Sequence, residues 1–221
     1  MKITAFQYGK TELAEHCFFA DGDPAKKLPI ALLFFLIEDV TRKILVDVGC
    51  DTMPGFDLFE FQKPVEILES YGISRNDITD IILTHGHHDH IDALRYYPTA
   101  SVFVHKDAVS SLMGYLPDYT KVQAVSDCAV VGRGITLQHI GGHAVGSCAV
   151  LVELAEKTLV FCGDECYAKE SLTEGRLTGS SFCPAKTRAF LEEYAKPCYI
   201  PILSHDPDLV GEIGYKVLYE D

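Results

Sequence analysis

An α/β fold, with strands and helices alternating around one sizeable core, is predicted by three observations. The 221 residues are 48% hydrophobic and 23% charged, the balance of an ordinary globular chain. At this length about 70% of the extended chain's surface can be buried in a single core. Short runs rich in β-branched and aromatic residues alternate with segments of helical periodicity. No repeat, low-complexity tract or linker divides the sequence, so residues 1–221 are expected to form one domain.

Residues 2–8, 30–37 and 42–48 read as strands, with Asp39-Val40-Thr41-Arg42 as the turn between the last two. From Pro64 to Tyr71 the apolar Val65, Ile67, Leu68 and Tyr71 fall at near-helical spacing; Pro64 suits a first helical turn and Gly72 ends it. The apolar run 78–83 leads into the polar cluster Thr84 to His90, the pattern of a buried strand presenting side chains beyond its carboxyl end. Residues 101–105, 135–139, 148–154 and 158–162 read as further strands, and 184–195 as a helix with Phe190, Leu191 and Tyr194 on its apolar side. A last strand, 199–203, ends at Ser204-His205-Asp206.

Nineteen Lys plus Arg against 32 Asp plus Glu leave a net charge of -13, which repels nucleic acid and anionic lipid. The longest apolar run, Ile30 to Ile37, is eight residues, against about twenty for a membrane span. The opening MKITAFQYGKTE lacks the apolar stretch of a signal peptide. A cytoplasmic protein with neither nucleic-acid nor membrane partner is expected. The eight cysteines include no CxxC pair, so most are expected to be reduced core thiols.

Four of the nine histidines lie in His85-Gly86-His87-His88-Asp89-His90. Imidazoles with a carboxylate are ligands suited to zinc, iron or manganese, whereas calcium and magnesium prefer oxygen. Two alternating pairs crowd a single ion, so two ions are expected. Further ligands are available after other apolar runs, at Gly142-His143, Gly163-Asp164 and His205.

In these residues the chain resembles the metallo-β-lactamase superfamily. The matching segments, in the family's order, are Leu45-Val46-Asp47-Val48-Gly49, Thr84 to His90, Gly142-His143-Ala144-Val145-Gly146-Ser147, Phe161-Cys162-Gly163-Asp164 and Ser204-His205. The resemblance implies an αββα four-layer sandwich with two divalent transition metal ions at its edge, zinc first, iron or manganese as alternatives. It implies His85, His87 and His143 around one ion, Asp89, His90 and His205 around the other, and Asp164 bridging both. Asp47 resembles the family's carboxylate that orients ligands from behind. His88 occupies a variable position, His105 and His139 lie in strands, and His16 reads as rim; none of the four is expected to ligate.

A water shared by two such ions ionises near neutral pH, so the resemblance implies hydrolysis by a bridging hydroxide, with Asp89 passing a proton to the leaving group. Flavodiiron relatives usually carry Glu where His87 stands, together with a flavin domain. Zinc lactamases generally lack the Asp164 bridge, and nuclease relatives tend to be longer. Asp164-Glu165-Cys166-Tyr167 resembles the N-acyl homoserine lactone lactonases, in which the phenol helps hold the substrate carbonyl. The substrate expected is a small ester, first a lactone whose acyl chain beds among Phe18, Phe19, Phe56, Phe59 and Phe61 if these are not core. A thioester substrate, as in the similar hydroxyacylglutathione hydrolases, is the alternative reaction. A metal-binding sensor or scaffold without turnover is the alternative of another class.

Overall fold

A computed structural model describes residues 1–117 and 120–221. Twelve strands among these residues form two sheets. The larger is built from β1 (Lys2–Ala14), β2 (Lys27–Glu38), β3 (Lys43–Val46), β4 (Asp80–Ile82), β5 (Ser101–His105), β6 (Val122–Val125) and β12 (Gly214–Glu220), in the order β12-β1-β2-β3-β4-β5-β6. The smaller contains β7 (Cys128–Gly132), β8 (Ile135–His139), β9 (Cys148–Glu153), β10 (Thr158–Phe161) and β11 (Tyr199–Ile202), in the order β11-β10-β9-β8-β7. Strands β3 to β6 are parallel, as are β10 and β11.

Period two in the strands sorts their side chains between layers. In β2, Leu32, Phe34 and Leu36 face the helical layer over the large sheet, while Ala31, Leu33, Phe35 and Ile37 face the other sheet. Both faces of β2 are therefore apolar, the mark of a strand covered on each side. The helix Pro64–Ser70 supplies Ile67 and Leu68 to the first core, and the helix Pro184–Tyr194 supplies Phe190, Leu191 and Tyr194 to a third core outside the small sheet. Three apolar interfaces between four layers make the αββα sandwich.

Phe35 and Phe161 meet at the middle interface with ring centroids 4.7 Å apart, both wholly buried. Phe35→Ala is expected to destabilise the protein by about 3–5 kcal/mol, the usual cost of removing a core aromatic. Urea denaturation measures this, and a loss under about 1 kcal/mol would show that the two sheets do not pack through this pair.

Three features depart from the sequence reading. Strand β1 continues to Ala14 through an irregularity between Gln7 and Gly9, where a Cβ on Gly9 would meet Leu32 and Phe61 at 3.3 Å. Strands β6, β7 and β12 lie at sheet edges and alternate weakly. All eight cysteines are free, but only Cys50, Cys148, Cys162 and Cys166 are buried. Half rather than most are core thiols, because Cys128 opens an edge strand and Cys198 sits in the exposed turn before β11. Burial pushes the thiols of Cys50, Cys148 and Cys166 up to about 12, which suppresses their reactive thiolates. No helix of the described residues is long and apolar enough to cross a membrane.

Candidate metal centre

Asp47, His85, His143, Asp164 and His205 follow the carboxyl ends of β3, β4, β8, β10 and β11. These strand ends meet at one edge of the sandwich, so residues far apart in sequence converge on rigid supports. The tight turn after β4 feeds the short helix His88–Ile91, which adds Asp89 and His90.

The side chains form two groups. His85, His87, His143 and Asp164 each offer a ligand atom to the first, and Asp89, His90 and His205 to the second. In the first group His87 Nδ1 lies 3.0 Å from both His85 Nε2 and His143 Nε2. Asp164 Oδ2 lies 3.7 Å from His85 Nε2 and 3.6 Å from His143 Nε2. Its other oxygen, Oδ1, faces the second group, 3.1 Å from His90 Nε2 and 3.2 Å from His205 Nε2. Asp89 Oδ2 closes that group at 3.6 and 3.7 Å from the same two nitrogens. One carboxylate thus turns an oxygen toward each set.

Behind the ligand atoms, hydrogen bonds fix the imidazole tautomers. His143 Nδ1–H donates to Ser180 O at 2.6 Å, and His205 Nδ1–H to Ala31 O at 2.9 Å. His90 Nδ1–H donates to Asp47 Oδ2 at 2.8 Å. Thr84 Oγ1 donates to the same Asp47 oxygen and accepts from His85 Nδ1, 3.1 Å away. Each Nε2 is left as a lone pair aimed inward, as a metal ligand requires.

These donors fit divalent transition ions. His85 Nε2 and His143 Nε2 both turn lone pairs on His87 Nδ1, which has at most one proton to give. Among the described residues, buried His90 Nε2 and Asp164 Oδ1 have no well-formed hydrogen-bond partner although they lie 3.1 Å apart, a cost that a bound cation removes. Ligands roughly 2.0–2.1 Å from a tetrahedral ion are about 3.3 Å apart, and the separations above bracket that value.

Asp47 adopts φ 56°, in the left-handed region, and this turns its carboxylate back toward Thr84 and His90. Burial and neighbouring imidazoles hold His85 well below its ordinary pKa. Burial also opposes charge on His90, but Asp164, Asp89 and Asp47 outweigh it and hold that imidazole well above. Burial resists ionisation of Asp164; His90, His205 and His85 overcome it and keep the carboxyl well below the usual range.

Tyr167 donates its phenol proton to Asp164 Oδ2 at 2.5 Å, and its ring stacks on His205 at 5.4 Å between centroids. Burial and the nearby Asp164 raise this phenol well above its ordinary pKa. Phe18 packs against Tyr167 at 5.8 Å, and Phe18 and Phe19 line a cavity of about 290 Å³ with it. Phe56 and Phe59 are exposed and line a separate cavity of about 300 Å³ beside Cys17. Phe61 packs at the edge of the helix-side core.

The other histidines stand apart. His88 bonds Tyr115 Oη and Thr52 O, His105 stacks on His139 at 3.9 Å, and His16 approaches Cys17 at 3.8 Å.

Sequence reasoning missed Glu165. It is wholly buried and accepts from Gly142 N–H, His143 N–H and Ser147 Oγ–H. Burial pushes its carboxyl up, against the pull of these donors. Glycine at position 142 is the one available sequence hint, since a Cβ there would fall 2.2 Å from Glu165 Oε2.

The metallo-beta-lactamase superfamily model matches residues 33–186. N-acyl homoserine lactonase AiiB of Agrobacterium fabrum is 24% identical over 182 residues, covering 65% of this chain and 66% of that protein. Metallo-beta-lactamase domain-containing protein 1 of Mus musculus is 32% identical over 132 residues, covering 58% of this chain and 46% of that protein. The matches thus span about two thirds of the first relative and less than half of the second.

Among solved structures, an N-acyl homoserine lactone hydrolase with N-hexanoyl-L-homoserine at its catalytic metal centre superposes with a TM-score of 0.80 at 19% identity, covering 93% of each chain. AidC, a dizinc quorum-quenching lactonase, gives 0.71 at 17% identity, covering 99% of this chain and 94% of its own. Those likenesses establish a shared fold. With more than two thirds of its length matched by the family model, and its His and Asp side chains gathered at one sandwich edge, the chain belongs to the metallo-beta-lactamase superfamily.

Proposed function

We propose that residues 1–221 form a single hydrolase domain that holds two divalent ions, zinc first, and opens lactones of the N-acyl homoserine lactone class. The observation that carries this reading is the pair of donor sets joined through the two oxygens of Asp164, with the Tyr167 phenol directed at the same carboxylate. The lactonase names among the relatives and structural neighbours support the substrate class.

His85, His87, His143 and Asp164 hold one ion; Asp89, His90, His205 and Asp164 hold the other; Asp47 orients His90. Two such ions supply a water ionised near neutral pH and an electrophile for a carbonyl oxygen. Tyr167 carries its proton at Oη and turns it from Asp164 to the substrate carbonyl, steadying charge that develops there. Asp89, half-buried beside His90 and His205, takes the proton that the attacking water loses and passes it to the departing ring oxygen, ending as the carboxylate it began as. The cavity that Phe18 and Phe19 line with Tyr167 offers apolar surface to an acyl chain, at about 0.8 kcal/mol per buried methylene.

A panel of lactones, thioesters and phosphodiesters tests the reading. Acyl homoserine lactones should open fastest, with activity lost on chelation and restored by metal. Faster thioester cleavage would move the protein to the thioester hydrolases; bound metal without turnover of any ester would make it a binding protein. Tyr167→Phe should lower kcat on the best lactone about 10²-fold with metal content unchanged. An unaltered rate would remove the phenol from the mechanism.

A further inference from the structure

Consecutive residues of the turn Gly163–Glu165 face opposite ways. Asp164 points into the two donor sets, while Glu165 points beneath the loop 141–147 that carries His143. Glu165 Oε1 accepts from Gly142 N–H at 3.1 Å and from Ser147 Oγ–H at 2.5 Å; Oε2 accepts from His143 N–H at 3.0 Å. Thr178 Oγ1 donates to the Glu165 backbone carbonyl at 2.8 Å, so the anchor is itself pinned.

A buried carboxylate is costly unless its oxygens are satisfied, and an apolar side chain would fill the same space without that demand. Here every named partner is a donor on one ligand-bearing loop. Only an acceptor at both oxygens matches them; an amide would set its own N–H against one of the donors. Gly142 completes the fit, for any side chain there would collide with Glu165 and with Thr187.

We propose that Glu165 is a positioning residue that locks His143 to Asp164 as one unit and thereby controls retention of the ion held by His85, His87, His143 and Asp164. This rests on the metal-centre reading above. In the second donor set His90 is braced by Asp47 and His205 by Ala31 O, and Glu165 bonds neither, so the effect falls on the ion of the first set.

The test is a chelator titration of the metal-loaded protein, with bound metal measured by elemental analysis and folding by circular dichroism. Glu165→Gln should release one ion at about 10- to 100-fold lower chelator concentration, keep the other as in wild type, and stay folded. Its release curve should follow that of His143→Ala and not that of His205→Ala. Wild-type retention of both ions, or joint loss of both, would overturn the proposal. If Glu165→Gln does not fold, Ser147→Ala removes one donor and leaves the carboxylate; it should shift release of the same ion severalfold in the same direction, and no shift would overturn the proposal. Wild-type protein that binds no metal would instead defeat the parent reading, and this inference with it.

Discussion

Asp164→Asn is expected to cut turnover by about 10³-fold and to lower metal content, while the fold persists. The carboxylate turns Oδ2 to His85 and His143 and Oδ1 to His90 and His205, all within 3.7 Å. Asparagine keeps the shape, loses the charge, and puts an NH2 where one set needs an acceptor. A unit charge acting on another at 4 Å is worth about 4 kcal/mol at an effective dielectric of 20, and about 1.4 kcal/mol is tenfold in rate. Measuring kcat/KM beside elemental analysis checks this. Full loading with normal turnover would reject the bridging role.

Asp47→Ala should destabilise the protein by about 3 kcal/mol and weaken metal binding about 10- to 100-fold, by two separable causes. Removing the carboxylate strands three buried donors, Thr84 N–H, Thr84 Oγ1–H and His90 Nδ1–H, and each unpaired donor costs about 1–3 kcal/mol before relaxation. Without that partner the His90 ring is free to turn, which is how loss of an orienting group lowers metal affinity. Alanine also tolerates the left-handed backbone at position 47 less well than aspartate or asparagine. Asp47→Asn therefore separates strain from charge: it should recover part of the stability but little of the metal affinity. Urea denaturation and competitive metal titration give the two readouts, and wild-type affinity in both variants would free His90 from dependence on Asp47.

Much of the sandwich was legible because burial imposes a period on the strands it covers. The apolar run Ile30 to Ile37 marks a strand enclosed on both faces, and β2 occupies that place. The polar clusters after residues 83, 162 and 203 stood out because a buried strand must end before such residues can be solvated or ligated. Strands β6, β7 and β12 were not legible: each has a sheet neighbour on one side only, as with Tyr215 and Val217, which are exposed.

The limits at the centre have a similar cause. The cluster His85 to His90 stood out by residue type and spacing, and the family resemblance implied the remaining members of the seven His and Asp side chains that the fold brings together. Partners behind them did not. Ser180 and Ala31 act through backbone carbonyls, which carry no sequence signal. Glu165 looks like an ordinary strand-end acid until its donors are located in space. The phenylalanines divided by burial: Phe18 and Phe19 joined the core and line a cavity with Tyr167, while Phe56 and Phe59 stay exposed at another.

Titration of metal-free protein with zinc, followed by calorimetry and by elemental analysis after dialysis, tests the central claim most directly. Two equivalents per chain should bind and remain, with affinity falling as pH falls because each imidazole must give up its proton to ligate. Uptake of no zinc, iron or manganese at neutral pH would contradict the claim that these side chains form a dinuclear centre.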